Sequence, residues 1–272
     1  MKTILVTTDF SPAANNAANY AADMAAAIKA EIFLLHIYQL PVVYSEIPVA
    51  VTIDDMRNDA EINIAQLKQQ LNQKHEGANL PIQTEVREGV FFQELKTVCE
   101  NIKPYAVVMG SQGSTAAERL LFGGHTVYAM KHLMWPIITV PPEANFLAVK
   151  KIGLTCDFNK VADTTPFDEI KKLVTDFNAE LHVLNTGKKE VYNPDVVFQS
   201  GVLQEMLQPL SPKYHFIAND NTDEGIMDFA ENNDIDLLVV LPKRHNLMDK
   251  LIHKSHTKQL VLHSHVPVMA FH

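Results

Sequence analysis

Two runs of this chain begin alike, and the likeness returns in the same order over most of the length. Lys2-Thr3-Ile4-Leu5-Val6-Thr7-Thr8-Asp9-Phe10-Ser11 is matched by Lys151-Ile152-Gly153-Leu154-Thr155-Cys156-Asp157-Phe158-Asn159, with the two aspartates 148 residues apart. Ala30-Glu31-Ile32-Phe33-Leu34-Leu35-His36-Ile37 returns as Ala179-Glu180-Leu181-His182-Val183-Leu184-Asn185-Thr186, and Val107-Val108 as Val239-Val240. His125-Thr126, followed by Pro136, returns as His256-Thr257, followed by Pro267. An internal repeat of this length means two copies of one domain. The boundary falls near Phe146 to Lys150, giving domains 1–146 and 147–272.

Within the first copy, short apolar runs alternate with helical patterns. Thr3 to Thr8, Glu31 to Ile37, Ile82 to Arg87, Ala106 to Met109 and Ile137 to Val140 are β-rich or largely apolar, as strands covered on both faces must be. Between the first two, Ser11 is placed to cap a helix whose first residue is Pro12 and whose stripe is Ala13, Ala17, Ala21, Met24, Ala25 and Ile28. Further helices are expected near Asp54 to Gln73, Phe91 to Ile102 and Thr126 to Leu133, with an irregular apolar loop from Gln39 to Thr52. Strands alternating with helices predict an α/β fold, an open five-stranded parallel sheet of Rossmann-like or flavodoxin-like type, made twice. The last strands, Ile137 to Val140 and Val266 to Phe271, would be exposed apolar edges unless the two halves pair through them.

Composition narrows the function classes. A net charge of -9 argues against bulk nucleic-acid binding, which needs basic surface to displace phosphate counterions. No apolar stretch approaches the roughly 18 residues of a membrane span, and Met1 to Phe10 runs directly into a strand pattern rather than a signal peptide. Cys99 and Cys156 form no metal or disulfide pattern, so reduced thiols in a cytoplasmic protein are expected. Six histidines, His245, His253, His256, His263, His265 and His272, gather near the end, yet only Asp249 accompanies them, and solvated or packed imidazoles are the better reading than a metal.

The stretch richest in chemistry is Ala106 to Thr126. An apolar strand ends in Gly110 and Gly113, and nine residues then lead to Gly123 and Gly124, just before a helix start at Thr126. Glycines at a strand-to-helix junction can let backbone N–H groups converge on an anion, and the helix N-terminus adds its dipole. The plain alternative is a tight turn. The spacing G-x2-G-x9-G is neither a Walker A loop, since no Lys-Ser/Thr pair follows, nor a dinucleotide fingerprint.

This motif, with the T-D-F-S and L-H-I strand ends, resembles the universal stress protein family over essentially the whole chain, as a tandem member with an adenine nucleotide alpha hydrolase-like fold. The resemblance implies an adenine nucleotide ligand, ATP or a relative with or without Mg, contacted by Thr7, Thr8, Asp9, Ile37, Met109, Gly110, Gly113, Gly123, Gly124, His125 and Thr126. It assigns Asp9 to the ribose hydroxyls or adenine edge, against a turn role, and Ile37 to the base. Thr7 stands where the family often has Pro, and Gly124 where it has Ser or Thr. Thr126 is either a helix cap or a hydroxyl donor, and His125 either faces phosphate or is solvated.

The second copy has no glycine after Gly225; Pro242-Lys243-Arg244-His245 occupies the place of the first glycine pair. One nucleotide per chain, in the first half, is the expectation. No catalytic residue is identified. A slow ATPase and a ligand-free interaction module, pairing internally or as a homodimer, are the rival readings.

Overall fold

The computed structural model of the chain describes residues 1–39, 53–77, 79–111, 126, 128–130, 132–158, 161–185, 194–217, 219, 221–242 and 256–271. All but the first residue of the expected loop from Gln39 to Thr52 lies outside them.

The first half runs β1 (Thr3–Thr7), α1 (Pro12–Ile28), β2 (Glu31–Tyr38), α2 (Ile53–Lys74), β3 (Ile82–Glu88), α3 (Phe91–Ile102), β4 (Ala106–Gly110) and β5 (Ile137–Val140), with helical residues at Thr126, Tyr128 to Met130 and His132 before β5. The second runs β6 (Lys151–Cys156), α4 (Val161–Thr164), α5 (Phe167–Phe177), β7 (Glu180–Asn185), α6 (Pro194–Leu207), β8 (Lys213–Phe216), α7 (Thr222–Asn232), β9 (Leu237–Val240), α8 (His256–His263) and β10 (Val268–Ala270).

Every strand neighbour within a half is parallel, and both halves show the spatial order third, second, first, fourth, fifth. That is the Rossmann-type order, which settles the choice against the flavodoxin order. The order reverses between β1 and β4, so a crevice opens at their carboxyl ends. At the joint, β5 runs antiparallel to β10, with Thr139 opposite Val268, Ile138 opposite Met269 and Ile137 opposite Ala270. The result is one ten-stranded sheet.

Strand alternation divides the core into two layers. Ile4, Val6, Ile32, Leu34 and Val108 face α1 and α2, while Leu5, Leu35 and Val107 face α3 together with Met130 and Leu133. The first layer continues across the joint through Ile138 and Met269 to Ile152, Leu154 and α5. Helix α1 begins as its sequence dictates: Pro12 is its first residue and Ser11 Oγ accepts from the Ala14 N–H at 3.2 Å. Its alanine face, Ala17, Ala18, Ala21, Ala22 and Ala25, is fully buried, and so short a face lets the helix lie close to the sheet.

Near the outer edge of the second half, His182 Nδ1 and His215 Nε2 lie 3.0 Å apart with near-parallel rings. Burial pushes both imidazoles below their usual range; each also feels a neighbouring positive group, while Glu180 partly offsets this at His182. A histidine held down in the folded state binds its proton first in the unfolded chain. Its contribution is therefore complete above the unfolded value near 6.5 and is lost as pH falls below it. Denaturant midpoints should drop as pH falls below about 6.5, and less so for His182→Asn/His215→Asn than for the parent. A parallel decline in both proteins would remove the pair from the pH response.

Candidate functional site

The crevice is built where β1 and β4 part. Thr7 and Thr8 end the first strand with buried side chains. The Thr8 N–H donates to the Leu35 carbonyl (3.0 Å), which continues the sheet register one residue past β1. The chain then turns sharply. Thr8 Oγ1 accepts from the Phe10 N–H (3.0 Å), Asp9 Oδ1 accepts from the Ser11 N–H (3.0 Å), and Phe10 has a left-handed φ of 64°. A bulky aromatic seldom adopts that conformation, and its persistence marks a junction held by its surroundings.

The second copy repeats the turn. Phe158 has φ 52°, and its N–H points at Cys156 Sγ at 3.4 Å, the thiol standing where Thr8 has a hydroxyl.

Asp9 thus has the turn role that its position allowed, using one carboxylate oxygen. Its second oxygen has no hydrogen-bond partner among the described residues. A carboxylate can accept further hydrogen bonds there, as a ribose diol would offer.

What fixes this turn was not singled out from sequence. His36, on β2, has Nδ1 at 2.8 Å from the Thr8 carbonyl oxygen. A carbonyl only accepts, so Nδ1 carries the proton and donates. The ring packs on Phe10 at 4.5 Å between centroids and near Tyr38. Burial lowers its pKa, against the Thr8 hydrogen bond and Asp9, which leaves a neutral imidazole bracing the loop that carries Asp9. The L-H-I run was the available signal; the contact itself spans 28 residues.

Gly110 ends β4 with no left-handed φ; the positive-φ glycine among the described residues is Gly89. A Cβ on Gly110 would stand 3.1 Å from both the carbonyl carbon and oxygen of Ala13, and 3.4 Å from the Ala14 nitrogen. Here the missing side chain serves the close approach of α1. Ser111 follows, buried, with its N–H on the Val140 carbonyl (3.0 Å). Thr126 is buried as well, and its hydroxyl lies 3.4 Å from the Gly110 carbonyl oxygen, tying the helical segment back to the strand end. Met109 has its side chain in the core, 4% exposed, so only its backbone borders the crevice. Ile37 lies half-buried along β2.

The structure therefore gathers Thr7, Thr8, Asp9, Gly110 and Thr126 at the switch point. Gly113, Arg119, Gly123, Gly124 and His125 lie outside the described residues, as do Lys243, Arg244, His245, His253 and Lys254 of the second half. Asp157 is exposed at the corresponding place.

The profile of the universal stress protein family matches the chain twice, over residues 1–141 and 148–272. No curated protein gives a significant match. Among solved structures, the chain is similar to a universal stress protein from Archaeoglobus fulgidus (19% identity, 99% of this chain and 95% of that chain, TM-score 0.72). It is also similar to a universal stress protein described as putative from Pseudomonas aeruginosa (12% identity, 100% and 93% covered, TM-score 0.65).

Proposed function

Because this chain belongs to the universal stress protein family, matched over both halves, we propose that its first half binds an adenine nucleotide, ATP, ADP or AMP, as a regulatory ligand in a stress response. The observation that carries the reading is Asp9, braced through His36 at the reversal point of the sheet order, with one carboxylate oxygen that no described residue engages. The G-x2-G-x9-G run that follows β4 offers phosphate-binding backbone, and no lysine accompanies it. Mg would enter with ATP. We read the protein as acting by binding rather than hydrolysis: phosphoryl transfer needs a metal-holding carboxylate and a residue placing the nucleophile, and neither is identified among the described residues of the crevice. Its setting is the cytoplasm, with domains 1–146 and 147–272 and the nucleotide confined to the first. In the second domain Pro242 has no N–H to donate at the strand end.

Titration by calorimetry tests the proposal. We expect saturation at one nucleotide per chain, a loss of roughly 1 to 3 kcal/mol for Asp9→Ala, and unchanged affinity for Asp157→Ala. Gly113→Val and Gly123→Val should remove binding. A stoichiometry of two, or Asp157→Ala weakening while Asp9→Ala does not, would mean that the working half is misassigned.

A further inference from the structure

The antiparallel joint brings the amino ends of the first-half strands beside the carboxyl end of β10. A cleft of about 500 Å³ lies there, at the opposite ends of the strands from Asp9. The first half contributes Lys2, Lys103 and Tyr105; the second contributes Leu173, Lys172 and Phe271. Neither half forms this cleft alone.

We propose that this cleft is a second ligand site, for a small organic acid: a flat apolar body carrying one carboxylate or phosphate group.

Three observations carry it. The volume is within the range of small-molecule sites, which favour domain junctions. The lining divides by character: Met1, Tyr105 and Pro136 offer apolar surface over a buried floor of Leu173, Met269 and Phe271, and three lysines share the lining with one acidic residue, Glu169. Lys2 is neutralised by Asp176 at 2.7 Å, whereas Lys103 and Lys172 have no ion-pair partner among the described residues. The ammonium groups of Lys2 and Lys172 each stand 5.4 Å from the centre of the Tyr105 ring, which holds them at the cleft instead of letting them spread into solvent. An anion meets a positive surplus there.

The third observation is the comparison with the other side of the joint. The matching cleft, beside Ile235, Asp236 and Pro267, is smaller, about 270 Å³, and residues 144–148 of the segment between the halves line it. Phe146 of that segment packs edge-on against Tyr20 at 5.2 Å. At the related cleft the chain's own aromatic side chain thus lies in the lining, a flat apolar body of the kind proposed for this one.

The test uses the full chain and three probes sharing one ring system: 1-naphthoate, 1-naphthyl phosphate and 1-naphthylmethylammonium, titrated by calorimetry with saturating AMP present. We expect at least one acid to bind with a stoichiometry of one and the ammonium compound not to bind. The tighter of the two acids identifies the head group. Lys103→Glu/Lys172→Glu should weaken the acid by about tenfold or more while leaving AMP affinity unchanged. The proposal falls if neither acid binds, if the ammonium compound binds as well as the acids, or if the double variant binds the acid like the parent. It also falls if AMP displaces both acids, since they would then occupy the nucleotide crevice. Failure of the acids to bind leaves the nucleotide reading of the first half untouched, since AMP titrated alone tests that separately.

Discussion

Ile138→Asp is expected to leave the chain unfolded or close to it. Ile138 is fully buried in β5, opposite Met269 in the antiparallel joint and beside Val108 on its parallel side. Removing the side chain alone costs about 2 to 5 kcal/mol at such a site, and a carboxylate there has no cation to meet and must be protonated or hydrated. Against a total stability of about 5 to 15 kcal/mol, little remains. Ile138→Val, which keeps the shape and the apolar surface, should cost only about 0.5 to 1.5 kcal/mol. Guanidinium unfolding of both variants measures this. Equal midpoints for the two would show that the joint contributes little to the fold.

Gly110→Val should destabilise the protein by roughly 1 to 3 kcal/mol with no nucleotide present. The neighbours that a Cβ would meet are backbone atoms of Ala13 and Ala14, which cannot swing aside as a flexible side chain would, so α1 must move off β4. Gly110→Ala should show the same effect in smaller measure. If Gly110→Val kept full stability and lost only nucleotide affinity, the glycine would serve the ligand and not the helix.

Much of the architecture was legible because buried parallel strands leave a plain mark. Ile4, Leu5 and Val6 are covered from both sides, and the sequence there is continuously apolar. The paired aspartates, Asp9 and Asp157, located the two copies, and Ser11-Pro12 marked the start of α1 to the residue. The site was harder to read wherever its reasons are tertiary. His36 braces Thr8 through a contact that depends on how β1 and β2 register, which no local pattern encodes. Met109 was grouped with the nucleotide contacts by the family resemblance, and strand alternation, which turns its side chain into the core, leaves only its backbone for such a contact. Gly110 was read from the G-x2-G-x9-G spacing as part of a phosphate loop. The close approach of α1, nearly a hundred residues earlier, is a second demand on the same glycine.

The joint between β5 and β10 has a further consequence, which concerns how such a chain can change. In a dimer of identical subunits, a self-complementary interface receives every substitution twice, so a harmful change is harmful on both sides. Here the two strands are encoded separately, as Ile137-Ile138-Thr139 and Val268-Met269-Ala270, and a change in one can be compensated in the other. The partner is also always present, whatever the protein concentration. Under those conditions the second copy can diverge in sequence, as its lack of any glycine after Gly225 illustrates, while the joint is kept.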